Sequence, residues 1–325
     1  MVRLQRGAEA RATRRAAVEK ARAVNLPAQI EVLERGWLSS NNIVLHEAGG
    51  AVLIDSGYHA DAARTLALVG EALRGRPLLR LVNTHCHSDH MGGNAALARV
   101  HGCRISVPAG EAATIDAWDE DAMMLAYTGQ SAERFSYSDT VAAGDTLKLG
   151  GLEWQALAAP GHDPNALMFY APEARILITG DALWENGFGL IFPELFGQNG
   201  FADARSTLET IARLEVDSVI PGHGAPFGDI GKALAIAFGR LDAYERDPAK
   251  LARHALKVML SFSLMIMGSI AEAELAGFLA GVPIYAEVNR RFLRLPEAQL
   301  REYLVEDLER VGAITRRDGR LFPRG

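Results

Sequence analysis

The stretch Leu78-Leu79-Arg80-Leu81-Val82-Asn83-Thr84-His85-Cys86-His87-Ser88-Asp89-His90 decides how the rest of the chain is read. Its first five residues are short and apolar-rich, lying between Pro77 and Asn83, and have the form of a buried strand. The strand runs straight into a set of ligand-type side chains. In an extended segment side chains alternate, so His85 and His87 point one way and Cys86 the other. As the chain turns into a helix expected over roughly 91–101, Asp89 and His90 swing to an adjacent point. One segment thus offers two pairs of ligands to two neighbouring positions.

Upstream, residues 29–35, 42–47 and 51–55 read as strands and 60–73 as a helix. The third strand ends in Ile54-Asp55-Ser56-Gly57. Downstream, 152–158, 166–170, 175–179 and 218–220 read as strands, with a helix at 202–214. Three of these strand exits carry further ligand-type residues, in Pro160-Gly161-His162, Thr179-Gly180-Asp181 and Pro221-Gly222-His223-Gly224. Gly or Pro forces a turn at each, and the strands hold the loop side chains in place. Five of the nine histidines fall in these motifs; His46, His59, His101 and His254 stand outside them and read as structural.

Strands mixed with helices predict a layered α/β architecture. From about Asp229 nearly everything reads as helical, closing with a helix at 297–311 and a hairpin turn at Asp318-Gly319. Helices followed by a hairpin resemble a winged-helix module. The expected division is a basic extension at 1–28, a catalytic domain at 29–228 and a helical domain at 229–325. The extension is Arg-rich with no apolar core, so it reads as a solvated surface helix rather than a secretory signal. The longest apolar run, Val258 to Ile270, falls short of the roughly 18 residues of a membrane span and reads as a buried helix. Two cysteines, Cys86 and Cys103, exclude a disulfide framework and a four-cysteine zinc site, and a reducing cytoplasm fits them. A net charge of −6 argues against nucleic acid as the partner of the whole chain.

The ordered motifs resemble the metallo-β-lactamase superfamily over roughly residues 29–228, in particular its glyoxalase II-like and lactonase-like hydrolases. The resemblance implies an αββα sandwich and two metal ions. It places His85, His87 and His162 on the first ion, Asp89, His90 and His223 on the second, and Asp181 across both. It also implies that Asp55 supports the metal loop from behind. Three neutral imidazoles suit zinc with an open position, although iron or manganese suits the same side chains. Two such ions about 3.5–4 Å apart can share a hydroxide whose pKa falls towards 7. Asp89 and Asp181 offset much of their charge and are the expected catalytic carboxylates. One departure is Gly161-His162-Asp163-Pro164-Asn165, where relatives often carry Gly-His-Thr-Pro-Gly.

The true zinc β-lactamases lack a bridging aspartate, so Asp181 argues against antibiotic hydrolysis. Residues 108–204 hold 15 acidic and three basic residues, which argues against an anionic substrate from that side. Trp184, Phe188, Phe192 and Phe196, interleaved with glycines, are the expected substrate pocket, with Trp118, Met123, Met124 and Tyr127 as an opposite wall. The leading expectation is hydrolysis of a small ester, thioester or lactone with an apolar, uncharged portion. The alternatives are a single-iron persulfide dioxygenase and a nuclease or nucleic-acid binder. The C-terminal module is expected to shape the pocket or a homodimer contact.

Overall fold

The computed structural model describes Val24 and residues 26–324; most of the basic extension, with the helix expected there, lies outside the described residues. A first sheet runs in the order β1 (Ile30–Leu33), β2 (Asn42–Glu47), β3 (Gly50–Ile54), β4 (Leu78–Val82), β5 (Arg104–Pro108) and β6 (Asp139–Val141). Its first three strands are antiparallel and β3 to β6 are parallel. The helix Ala62–Leu73 makes the crossover that parallel β3 and β4 require. A second sheet runs β11 (Ser218–Pro221), β10 (Ile176–Gly180), β9 (Leu167–Ala171), β8 (Leu152–Ala158) and β7 (Thr146–Leu149), antiparallel except between β10 and β11.

Alternation within the strands builds four layers. Ile43, Leu45, Val52 and Ile54 of the first sheet meet Trp154, Phe169, Ile176 and Ile178 of the second in the core between them. Their neighbours Val44, Leu53 and Leu81 face outward onto Val69, Leu73 and Leu97 of the covering helices. Met168, Tyr170 and Leu177 face the other way, onto helices Gly200–Arg213 and Ile230–Arg246. Strands buried on both faces read as continuous apolar runs, which is why they were visible in the sequence. The result is the expected αββα sandwich.

The helix expected over 91–101 comes in two pieces, Ser88–Met91 and Asn94–His101. Gly92 and Gly93 press against the backbone of residues 56–59, where a Cβ would strike His59 N or Ser56 O. The break leaves a single turn carrying Asp89 and His90. β5, β6 and β7, not foreseen, are short and carry polar residues at exposed positions.

The C-terminal region holds helices Pro248–Met267, Glu272–Gly281, Pro283–Val288 and Glu297–Arg310. A hairpin of β13 (Ile314–Arg317) and β14 (Arg320–Pro323) follows, with β12 (Ile270–Ala271) as its third strand. Asp318 and Gly319 have φ of 50° and 69°, the left-handed pair that a two-residue hairpin turn requires. The likeness to a winged helix goes no further than this arrangement. One core cluster joins Leu177 and Val219 to Leu260 and Leu321 of this region. Among the described residues no helix is long and apolar enough to cross a membrane.

Candidate metal centre

The loops leaving β4, β8, β10 and β11 converge at one edge of the sandwich. Three groups form there whose ligand atoms lie within 4.8 Å of one another: His85, His87 and His162; His85, His90 and Asp181; and Asp89, His90 and His223. The seven side chains singled out in the sequence are therefore brought together. His87 Nδ1 stands 2.7 Å from His162 Nε2, and His223 Nε2 stands 3.0 Å from Asp89 Oδ2. Asp181 lies between the two sides. Its Oδ2 is 3.5 Å from His162 Nε2 and 3.8 Å from His223 Nε2, and its Oδ1 is 3.3 Å from His90 Nε2. Cys86 points away into the outer core.

Outer contacts aim the rings inward. His162 Nδ1 donates to Leu190 O at 2.5 Å, His85 Nδ1 meets Thr84 Oγ1 at 3.1 Å, and His90 Nδ1 donates to Asp55 Oδ2 at 2.8 Å. Asp55 also accepts from Thr84 N and Thr84 Oγ1, both at 2.8 Å. Trp184 Nε1 donates to Asp181 Oδ1 at 3.2 Å. Gly222 and Gly189 line the cluster so closely that a Cβ would meet Asp181 and His90 at the first, and His162 at the second.

The charge state suits cations. Burial pushes His85 well below the usual imidazole range, His87 down to about 4 and His162 down to about 3, so these rings are neutral. Burial also opposes ionisation of Asp181, but the neighbouring His223 and His90 charges outweigh it and hold the carboxyl well below its usual value. Burial likewise works against a charged His90, yet Asp181, Asp55 and Asp89 together lift it well above the imidazole range. A cation is what these carboxylates draw in. The donor set fits divalent metal on a further count: His85 Nε2 and His90 Nε2 are buried without a hydrogen-bond partner, an orphaning that a bound ion relieves.

A family model described as the metallo-beta-lactamase superfamily matches residues 35–223. The chain belongs to the metallo-beta-lactamase superfamily. It is similar to the hydroxyacylglutathione hydrolase of Hyphomonas neptunium, 31% identical over 50% of this chain and 56% of that one. A second protein of that name, from Methylococcus capsulatus, is 26% identical over 81% of this chain and 97% of its own length. The chain thus spans little more than half of the first of these relatives. A solved metallo-beta-lactamase family protein from Thermus thermophilus shares the fold at 21% identity and a TM-score of 0.55, over 92% of this chain and all of that one. The BLEG-1 B3 metallo-beta-lactamase does so at 21% and 0.52, over 63% of this chain and 96% of its own.

In this superfamily member a cleft opens beside His87, His162 and His223. The four aromatics expected to line it separate. Trp184 and Phe192 do line it, as do Met123 and Met124. Phe188 does not: it turns into the core, packed edge-on against Tyr244 with Arg240 over its ring. Phe196 does not either, because it packs on Tyr127 at 4.9 Å, and Trp118 instead meets Phe135. Glycine spacing in a loop sets no period, so which aromatic faces the cleft was not legible. Sequence reasoning missed Trp37, Gln130, Val258, Met259 and Phe262. Trp37 is 58% exposed yet stacks on His223 at 5.5 Å and 12°. His59 hydrogen-bonds Ser131 and takes no part in the cluster.

The departure at Asp163 also finds its partners. Asp163 lies 3.6 Å from His87 Nε2 and accepts from Asn165 N, and beside it is buried Glu111. Burial, with Asp163 alongside, pushes Glu111 up to about 8; burial pushes Asp163 up to about 6. A carboxyl whose folded pKa is raised adds stability below its unfolded pKa and loses it as pH rises through the folded one. Metal-free protein is therefore expected to lose stability between about pH 5 and 8, and Glu111→Gln to lose less. Urea unfolding across that range checks this; equal pH slopes for both proteins would contradict it.

Proposed function

We propose that the chain is a hydrolase that holds two divalent metal ions, zinc foremost, and cleaves a small ester, thioester or lactone with an apolar portion. The observation that carries this reading is a pair of three-ligand groups with one carboxylate between them. His85, His87 and His162 would hold one ion, Asp89, His90 and His223 the other, and Asp181 would touch both. Ions bound there supply an activated water at neutral pH and polarise the carbonyl under attack.

The chain's own residues prepare that chemistry. Burial keeps the first three imidazoles unprotonated and free to bind metal. Leu190 O and Asp55 fix the ring orientations of His162 and His90. Asp89 and Asp181 stay ionised and offset the incoming charge. Trp184 Nε1 holds one oxygen of Asp181 and leaves the other facing His162 and His223. The apolar walls, Met123, Met124 and Phe192 among them, exclude water around the reacting bond and take the substrate's apolar portion. That two relatives are named hydroxyacylglutathione hydrolase supports a thioester as one substrate class.

Turnover of aryl esters, acyl thioesters and lactones by zinc-loaded protein tests this reading. The expected result is release of the acid from at least one class, lost on chelation and restored by zinc. Silence across all three classes contradicts it. Oxygen uptake with a single iron per chain would replace it with the dioxygenase reading.

A further inference from the structure

The cleft's charge and its polar atoms say more than its apolarity. Every charged or titratable residue that lines it belongs to the candidate metal centre; no Lys or Arg is among the lining residues. One wall comes from the C-terminal region, where helix Pro248–Met267 presents Val258, Met259 and Phe262. Just beyond Met124, Tyr127 donates to Glu287 Oε2 at 2.9 Å, which places a carboxylate there. Arg291 is tied down, with Nη1 donating to Leu195 O at 2.6 Å and Nε lying 3.7 Å from Glu287. An anionic carrier would therefore leave water for a cleft whose described lining offers its charge no Lys or Arg.

Facing this wall across the cleft is half-buried Gln130. Ser88 Oγ donates to Gln130 Oε1, which fixes the amide with its nitrogen towards the apolar side. There Nε2 meets Met259 Sδ at 3.9 Å, and a thioether is a weak acceptor. A half-buried side-chain amide with two N–H donors thus borders the cleft.

We infer that the part of the substrate remote from the metals is uncharged and presents a carbonyl oxygen to Gln130, with Val258, Met259 and Phe262 setting that preference. The inference rests on the hydrolase reading and separates this chain from a glutathione-thioester hydrolase. Gln130 is the specificity-determining donor, and the helix behind it is the surface that rejects charge.

Binding, rather than turnover, tests this, so it stays readable whatever the hydrolysis assays give. Zinc-loaded protein is titrated by calorimetry with two inert thioethers: S-hexyl-N-acetylcysteamine, neutral with an amide carbonyl, and anionic S-hexylglutathione. The neutral ligand is expected to bind at least about tenfold more tightly. Gln130→Ala should weaken it about five- to tenfold and leave the glutathione ligand unaffected. Met259→Lys should shift preference towards the glutathione ligand. Equal or tighter binding of S-hexylglutathione by the native protein overturns the inference, as does failure of the neutral ligand to bind. A Gln130→Ala variant that binds both as before removes Gln130 from it.

Discussion

Asp181→Ala should abolish hydrolysis, lowering kcat/KM on the order of a thousandfold or more, the scale seen when a principal electrostatic contact is removed from an active site. Asp181 faces both halves of the cluster, with one oxygen towards His162 and His223 and the other towards His90. Removing it takes away the proposed shared ligand and also the carboxylate that contributes most to lifting His90. Bound metal should therefore fall together with activity. Circular dichroism separates this from misfolding: Asp181 follows β10 rather than packing in the core between the sheets, so the variant should fold. A folded Asp181→Ala protein that keeps its full metal content and most of its activity would exclude Asp181 from the centre.

Asp55→Ala should cost both stability and metal affinity. Asp55 is 2% exposed and accepts from three donors, Thr84 N, Thr84 Oγ1 and His90 Nδ1. Alanine leaves all three buried without this acceptor, an expected loss of about 3 kcal/mol. Losing the carboxylate behind His90 should weaken metal binding by about 10- to 100-fold. Asn is the informative control. Asp55 has φ of 58°, a left-handed conformation that Asn accepts well and Ala does not. Asp55→Asn should recover much of the stability, since its oxygen can still accept from Thr84 N. It should not recover the metal affinity, because an amide replaces the charge facing His90. Urea unfolding of the metal-free proteins and competition with a chromogenic chelator read the two effects separately. Asn and Ala variants alike in both would show that Asp55 merely fills space.

The metal cluster was legible because its information is local. His85, His87, Asp89 and His90 fall within six residues, and each remaining candidate ligand follows a strand by way of a glycine. The sandwich was legible for a related reason: strands covered on both faces cannot hide among polar residues. The cleft was not legible, because its walls are made by tertiary contact. Val258, Met259 and Phe262 read as one turn of an apolar helix, and nothing local says that they face a cleft while Leu256, Leu260 and Leu264 fill the core. Trp37 gave no period to read. Its place over His223 follows from the anchoring of its loop, with Arg35 held by Asp61, Asn42 and Thr65, and Asn41 by Pro221 O and Gly224 O. Phe188 and Phe196 show the same limit in reverse: the sequence did not say that they pack on Tyr244 and Tyr127.

The zinc retained per chain, measured by elemental analysis after metal-free protein is dialysed against excess zinc and freed of loose ions, is the most direct test of the account. Two ions per chain is the predicted result, one for each three-ligand group joined at Asp181. One ion, or none, would contradict it.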